Sequence, residues 1–513
     1  MNQPSVNKLQ RIYRELASKV ERARSVVYEL DSATPLQRLV LQDGQTVYAK
    51  REDTSRVHSY KWRGSFFKMY EMVEQGSRGP FIAASAGNHA QGVAASAKKL
   101  GVKAIVFMPE TTPALKQRSV AELGGRFVEI RLCGDGFDDA ARAAEQFQQH
   151  CGGIMISPFD DVSIIAGQAT VGLEMHEQHQ GLTKIYVPIG GGGLASGVGF
   201  AIKVLCCQNC QMIGVEVEKQ NSMQLSTATG QPVSMLDVDR FCDGTAVRRP
   251  GELTFELCRN LLDKVVTVTN REVCAAVRAA WESERFLPEP SGAIGLAAAI
   301  KFAGNDRNEV VGAVISGSNT DFNTLPVIVG RSQTDRTSRR YFRFVIDERN
   351  GSLIALLDEF LGGFNIVDFQ YGKSSEQIAT PVIGVEGAFG QLDELSRRMA
   401  MAGFAEQLNA GSTLLEYRVF SFHPELCRDA FFLKVEFPNR PGALLELMRR
   451  ISSATNICYF NFTDSGETEG HALIGFECIL PDSRLQIVSH LSALQFKFSN
   501  VQLNHADTSP VPK

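Results

Sequence analysis

From position 81 onward, short apolar runs alternate with amphipathic stretches: FIAAS before GNHAQGVAASAKKLG, AIVFMPE before TTPALKQRSVAELGG, RFVEIR before GDGFDDAARAAEQFQQH. Such alternation predicts parallel strands joined by right-handed crossovers and covered by helices on both faces, an α/β domain whose ligand site lies at the strand carboxyl ends. The alternation stops beyond Asn323, and GRSQTDRTSRR, residues 330–340, is polar enough to be a linker. After it comes an internal repeat. Gly351, Asn365, Ile366, Gly384 and Glu386 recur as Gly442, Asn456, Ile457, Gly475 and Glu477, at a constant offset of 91. Each copy reads β-α-β-β-α-β, the ferredoxin-like α+β order. The expected organisation is a domain over 1–329, a linker over 330–340, and two related domains over 341–422 and 423–513.

A chain of 513 residues with 44% hydrophobic content suits about three domains. A formal charge of -4 argues against a nucleic-acid partner recognised by bulk charge. The first thirty or so residues read as a polar start and then an amphipathic helix, without the apolar core of a signal peptide. No apolar run has the length that spans a bilayer, so a cytoplasmic protein is expected, with no membrane partner. The 11 cysteines are scattered, which fits reduced thiols. Cys206, Cys207 and Cys210 lack a fourth ligand nearby and read as packing, so no metal is expected.

The chemistry concentrates at three turns and one lysine. Ser59-Tyr60-Lys61-Trp62-Arg63-Gly64 sets a lysine between two aromatic residues, where desolvation would free the amine to attack an aldehyde; a lysine merely laying its stem on the rings reads the same way. Ser85-Ala86-Gly87-Asn88-His89 opens a helix whose free N–H groups suit a carboxylate, and equally reads as a cap and a glycine turn. Gly190-Gly191-Gly192-Gly193-Leu194 follows the strand KIYVPI and starts a helix, so several N–H groups converge as they do on a phosphate. Without a following Lys-Ser/Thr it is not a nucleotide-hydrolysing loop. Ser316 ends the buried strand VVGAVIS, where a hydroxyl can meet a heteroaromatic nitrogen without forcing a proton onto it, or simply belong to a serine-rich turn. Pro288-Glu289-Pro290-Ser291-Gly292 is a rigid turn able to bring one carboxylate near.

In this order and spacing the lysine, asparagine turn, glycine loop and terminal serine resemble the fold-type II pyridoxal-phosphate enzymes, and most closely the threonine dehydratases (threonine ammonia-lyases). DGTAVRRPGELTFELC, residues 243–258, and EPSGA look specific to that branch. The resemblance implies a two-lobed catalytic domain followed by tandem ACT-like regulatory domains, a homotetramer, and inhibition by isoleucine that valine opposes. It implies that Lys61 carries pyridoxal 5'-phosphate and moves the Cα proton, with Tyr60 where a phenylalanine usually flanks the ring. By the same resemblance Asn88 bonds the phenolic oxygen, Gly190 to Gly193 hold the phosphate, with Leu194 next in that cofactor loop, and Ser316 faces the ring nitrogen. The turn Ser85 to His89 would take the substrate carboxylate. The implied reaction turns L-threonine, with serine as a secondary substrate, into a 2-oxo acid and ammonia.

The chain departs from the family in places. SFKLRG reads SYKWRG and SGAN reads SGSN, so Trp62 and Ser318 are expected to change volume or polarity beside the cofactor. A related racemase or β-replacement enzyme is the alternative, and Ala86 stands against racemisation because related racemases carry there a serine that moves a proton. After Glu216 the run Val217-Glu218-Lys219-Gln220-Asn221-Ser222 lacks the aspartate of the racemases' cation site. Gln370-Tyr371-Gly372-Lys373 and Asn461-Phe462-Thr463-Asp464-Ser465 lack the arginine and histidine expected in the effector-facing strands.

Overall fold

The computed structural model describes residues 3–41, 44–206, 209–302, 309–332, 338–408, 412–416, 418, 420–438, 442–451, 455–463, 469–478, 481–494 and 496–501. The chain divides into two units, Met1–Ser332 and Gln333–Lys513. Residues 330–340 hold the end of the helix Leu325–Arg331 and the start of a strand at Ser338. Residues 333–337, Cys207, Asp464 and Ser465 lie outside the described residues.

The first unit contains two sheets. One runs in the order β1 (Leu36–Val40), β2 (Thr46–Arg51), β10 (Val311–Ile315), β7 (Lys184–Pro188), β8 (Gln211–Val217) and β9 (Lys264–Val268), and only the edge strand β1 is antiparallel to its neighbour. The other is wholly parallel, in the order β5 (Val128–Leu132), β4 (Ala104–Met108), β3 (Phe81–Ala84) and β6 (Ile154–Met155). Every residue of β4 and β10 is buried, which explains why AIVFM and VGAVI are continuous apolar runs: helices cover both faces. The expected two-lobed α/β architecture is what forms.

Glycines set how closely the helices of this unit approach. A Cβ on Gly64 would lie 2.7 Å from the Ile164 carbonyl oxygen, and one on Gly167 would lie 2.6 Å from Gly64 Cα. The helix Lys61–Glu74 therefore lies backbone to backbone on the helix Val162–Gln178, whose start is capped by Asp161 Oδ1 accepting from Ser163 N and Ile164 N.

The second unit contains one eight-stranded antiparallel sheet, β16 (Ala405–Leu408), β11 (Ser338–Phe344), β15 (Val382–Gly387), β13 (Asn365–Gly372), β18 (Thr455–Thr463), β19 (Glu469–Cys478), β17 (Ala430–Pro438) and β20 (Lys497–Val501), with a separate pair β12 (Ile346–Asp347) and β14 (Ile378–Ala379). The order is two ferredoxin-like sheets joined edge to edge through β13 and β18. Phe369 and Phe460 meet across that seam as a tilted pair, with ring centroids 4.5 Å apart, so the core is shared between the copies.

Candidate active site

Three strands of the first unit end where the sequence places its chemistry: β3 runs into Ser85, β7 into Gly190 and β10 into Ser316. Lys61 reaches the same region through a loop sewn to the end of β10. Ser59 forms an antiparallel bridge with Gly317, Tyr60 N donates to Ser316 O at 3.2 Å, and Ser318 N donates to His58 O at 2.9 Å. The lysine is thereby held beside the terminal serine, although the two are far apart in sequence.

Lys61 is the first residue of its helix, half-buried, and its Nζ donates to Pro158 O at 2.8 Å. Burial pushes the ammonium down to about 8, with the Glu289 charge pulling the other way. Of the two aromatic neighbours only Tyr60 stays near, its ring centroid 5.2 Å from Nζ. Trp62 is fully buried among Leu16, Val20, Phe66 and Phe200, in the core beneath the N-terminal helix. The expectation that Trp62 lies beside a cofactor is therefore corrected. Successive residues of a helix point about 100° apart, so the residue after Lys61 faces the core.

Arg63, which carried no role in the sequence reading, anchors this helix. It is fully buried, giving Nε to Glu52 Oε2 at 2.8 Å and Nη1 to Glu174 Oε1 at 2.5 Å, while Lys50 Nζ meets Glu174 Oε2 at 2.6 Å. Two cations and two carboxylates thus balance in a site closed to water.

The glycine loop is walled by segments that sequence reasoning did not connect to it. A Cβ on Gly191 would lie 2.2 Å from the Phe159 ring, one on Gly190 would lie 3.0 Å from Thr245 Cα, and Gly192, at φ +96°, has Thr254 2.9 Å from its Cβ position. Thr254 Oγ1 donates to Gly191 O at 2.6 Å, and Asp160 caps the helix Glu252–Leu261 by accepting from Leu253 N and Thr254 N. Residues 243–258 therefore form one wall of the loop. Leu194 is buried at the start of the helix Gly193–Phe200. Pro158 and Phe159 connect lysine to loop: the carbonyl of one takes the Lys61 amine, and the ring of the next lies against Gly191. A carbonyl and a packing ring give no sequence signal for such a place.

In the turn after β3, Ser85 Oγ accepts from Gly87 N at 3.2 Å, and Ala86 brings only a methyl. The His89 ring lies against the core, Nε2 to Ile156 O at 2.8 Å, and burial pushes it down to about 3, so it is neutral. Asn88 Nδ2 donates to Glu289 Oε1 at 2.6 Å, and Asn88 Oδ1 accepts from Asn319 Nδ2 at 2.7 Å. Glu289 is buried and pushed up to about 7, by burial first and the Asp243 charge second. Ser316 Oγ donates to Ser291 O at 3.3 Å, a long bond that a turn of the hydroxyl would release.

Glu216 has both carboxylate oxygens occupied, accepting from Met223 N and Gln224 N at 2.8 Å each. Among the described residues no group of His, Cys, Asp and Glu could hold a metal ion. The donor set instead suits a phosphorylated aromatic aldehyde: an amine lowered toward neutrality, a cradle that admits only glycine, and a neutral hydroxyl.

Residues 28–317 match the family described as pyridoxal-phosphate dependent enzyme, and residues 427–509 match the C-terminal regulatory domain of threonine dehydratase. The biosynthetic L-threonine dehydratase of Burkholderia multivorans is 34% identical over 493 residues, which is 94% of this chain and 96% of that protein. The chloroplastic biosynthetic threonine dehydratase of Arabidopsis thaliana is 36% identical over 472 residues, 90% of this chain and 78% of that protein. Among solved structures, the processed form of threonine deaminase isoform 2 from Solanum lycopersicum has a TM-score of 0.59 at 36% identity, covering 63% of this chain and 94% of that one. Maize serine racemase has a TM-score of 0.56 at 29% identity, covering 61% and 96%.

Proposed function

The chain belongs to the biosynthetic threonine dehydratases of the pyridoxal-phosphate-dependent enzyme family, and on that premise we propose that its first unit deaminates L-threonine to 2-oxobutanoate and ammonia, the first step of isoleucine biosynthesis, under control of its second. The observation that carries the assignment of roles is the Lys61 loop sewn to Ser316, with Pro158 and Phe159 joining it to the glycine loop.

Pyridoxal phosphate, when bound, supplies an electron sink conjugated to the substrate's amino nitrogen. Lys61 holds it and moves the Cα proton, since an amine lowered to about 8 is both a nucleophile and a base near neutral pH. The N–H groups of Gly190 to Leu194 hold the phosphate, Tyr60 flanks the ring, Asn88 gives an N–H to the phenolic oxygen, and Ser316 meets the ring nitrogen. The backbone of Ser85 to His89 takes the substrate carboxylate. Threonine loses its Cα proton and β-hydroxyl as water; the enamine that remains takes up water and releases ammonia. Ala86 has no proton to return to the opposite face, which favours elimination over racemisation, and serine serves as a secondary substrate. Incubating the protein with a panel of L-amino acids and assaying 2-oxo acid tests the reading. Threonine should give the highest rate, and a faster rate with another amino acid would overturn it.

The second unit holds a pocket suited to a branched-chain amino acid such as isoleucine or valine. Leu353, Ile354, Met448 and Ile457 give it an apolar wall, and Glu348, which accepts from Asn456 Nδ2 at 3.0 Å and from the Tyr371 hydroxyl, offers a carboxylate to an ammonium group. Away from that pocket, Arg418, near the end of the first copy, donates to Asp368 Oδ2 at 2.9 Å and to Asn461 Oδ1, so an arginine does meet the strands β13 and β18. The proposal includes a homotetramer in the cytoplasm, which light scattering and cell fractionation would check. Among the described residues, no helix is long and apolar enough to cross a membrane.

A further inference from the structure

The side-chain amide of Asn88 is spoken for at both ends, and its direction is dictated from outside. Val57 O is a backbone carbonyl and can only accept, so the Asn319 group that meets it at 2.9 Å is Nδ2. The same Nδ2 has a second hydrogen, which goes to Asn88 Oδ1 at 2.7 Å. Asn88 must then turn its Nδ2 toward Glu289 Oε1, 2.6 Å away. The backbone of Asn319 also hydrogen-bonds the Glu289 carboxylate, and Glu289 N donates to Gly317 O at 3.1 Å, so the acid has no freedom to leave. A flipped Asn88 would set oxygen against carboxylate and donor against donor, two mismatches in a part-buried site.

We propose that Glu289 and Asn319 are positioning residues that hold the Asn88 amide in one orientation, so that its remaining N–H is presented to the phenolic oxygen of the cofactor. The inference rests on the reading that Asn88 faces the cofactor. An N–H aimed at that oxygen stabilises it as the anion, so the orientation of one amide governs the cofactor's ionisation and part of its affinity. Neither Glu289 nor Asn319 needs to touch the cofactor to do this.

The test reads the cofactor rather than turnover. Full-length protein is reconstituted with pyridoxal phosphate, and its visible absorption band and dissociation constant are measured across pH. Asn88→Ala should shift the band and weaken binding about tenfold, the scale of one oriented hydrogen bond to an ionised group. Glu289→Ala should move band and affinity in the same direction but by less, because Asn319 Nδ2 still donates to Asn88 Oδ1, whereas Asn319→Asp, which cannot donate to Val57 O or to Asn88 Oδ1, should turn the amide over and approach the effect of Asn88→Ala. Glu289→Gln, which keeps an acceptor, should restore most of the wild-type band. Glu289→Ala added to Asn88→Ala should change nothing further. If Asn88→Ala shifts the band while Glu289→Ala and Asn319→Asp leave it in place, or if the effects of Asn88→Ala and Glu289→Ala add in full, this inference fails and the reading of Asn88 stands. If Asn88→Ala itself moves neither band nor affinity, both fail.

Discussion

Gln370 and Asn461, ninety-one positions apart and equivalent in the two copies of the repeat, lie directly opposite one another on β13 and β18. Since the strands are antiparallel, a cross-strand pair of equivalent residues marks a local two-fold axis relating the copies. The symmetry is broken by chemistry. Arg418 reaches Asn461 and Asp368, and Lys373 Nζ pairs with Glu477 at 2.9 Å, contacts made by residues outside the repeated pattern or unequal within it.

The first prediction is one effector site per chain, and therefore a simple saturable response. An effector acts only through unequal affinity for active and inactive states, and a coupling of about 1 to 3 kcal/mol would shift the apparent threonine affinity roughly 5 to 150-fold. Truncation should remove that response and keep turnover. The cut belongs after Ser332, because Ile328, in the helix Leu325–Arg331, is buried in the core of the first unit. Threonine saturation with and without isoleucine or valine, in both forms, is the measurement. Inhibition that survives truncation would put the effector site in the first unit.

Lys61 should capture its cofactor in a pH-dependent way. The attacking species is the free amine, and burial lowers the folded value to about 8, so capture by apoprotein should speed up as pH rises to about 8 and level off above it. An unburied lysine would keep accelerating to about pH 10.4. Lys61→Ala should abolish the borohydride-reducible adduct. Stopped-flow absorbance gives the profile, and a rate still climbing above pH 9 would show that the amine is not desolvated.

Gly191 has no room for a side chain. Gly191→Ala would drive a methyl into the Phe159 ring, 2.2 Å from the Cβ position, at an overpacking cost of about 1 to 3 kcal/mol. Cofactor affinity should fall, and Phe159→Leu in the same chain should recover part of it. Fluorescence titration with pyridoxal phosphate measures both; equal affinities in wild type and Gly191→Ala would remove the ring as the reason for the glycine.

Arg63→Leu should destabilise the first unit by about 3 to 5 kcal/mol, because it leaves Glu52 and Glu174 buried with only Lys50 to oppose them. The urea midpoint of a chain ending at Ser332 is the readout. A loss under about 1 kcal/mol would mean that water reaches the cluster on relaxation.

Much of the molecule was legible in the residues alone. Apolar runs such as AIVFM and VGAVI predict buried parallel strands because both faces must be covered, and a constant offset between recurring glycines, asparagines and isoleucines reveals a duplication. Local signals of this kind need only the chain's own period and the special freedom of glycine. What only the tertiary structure decided depends on pairs brought together by the fold. Asn88 meets Glu289 across 201 positions, Lys61 meets the Pro158 carbonyl, and Gly191 meets the Phe159 ring. A backbone carbonyl has no residue identity and a ring used as a wall looks like any core residue, so neither could be read from sequence. Trp62 makes the same point in reverse: next to Lys61 in the chain, it faces the core because one step along a helix turns a side chain by about 100°.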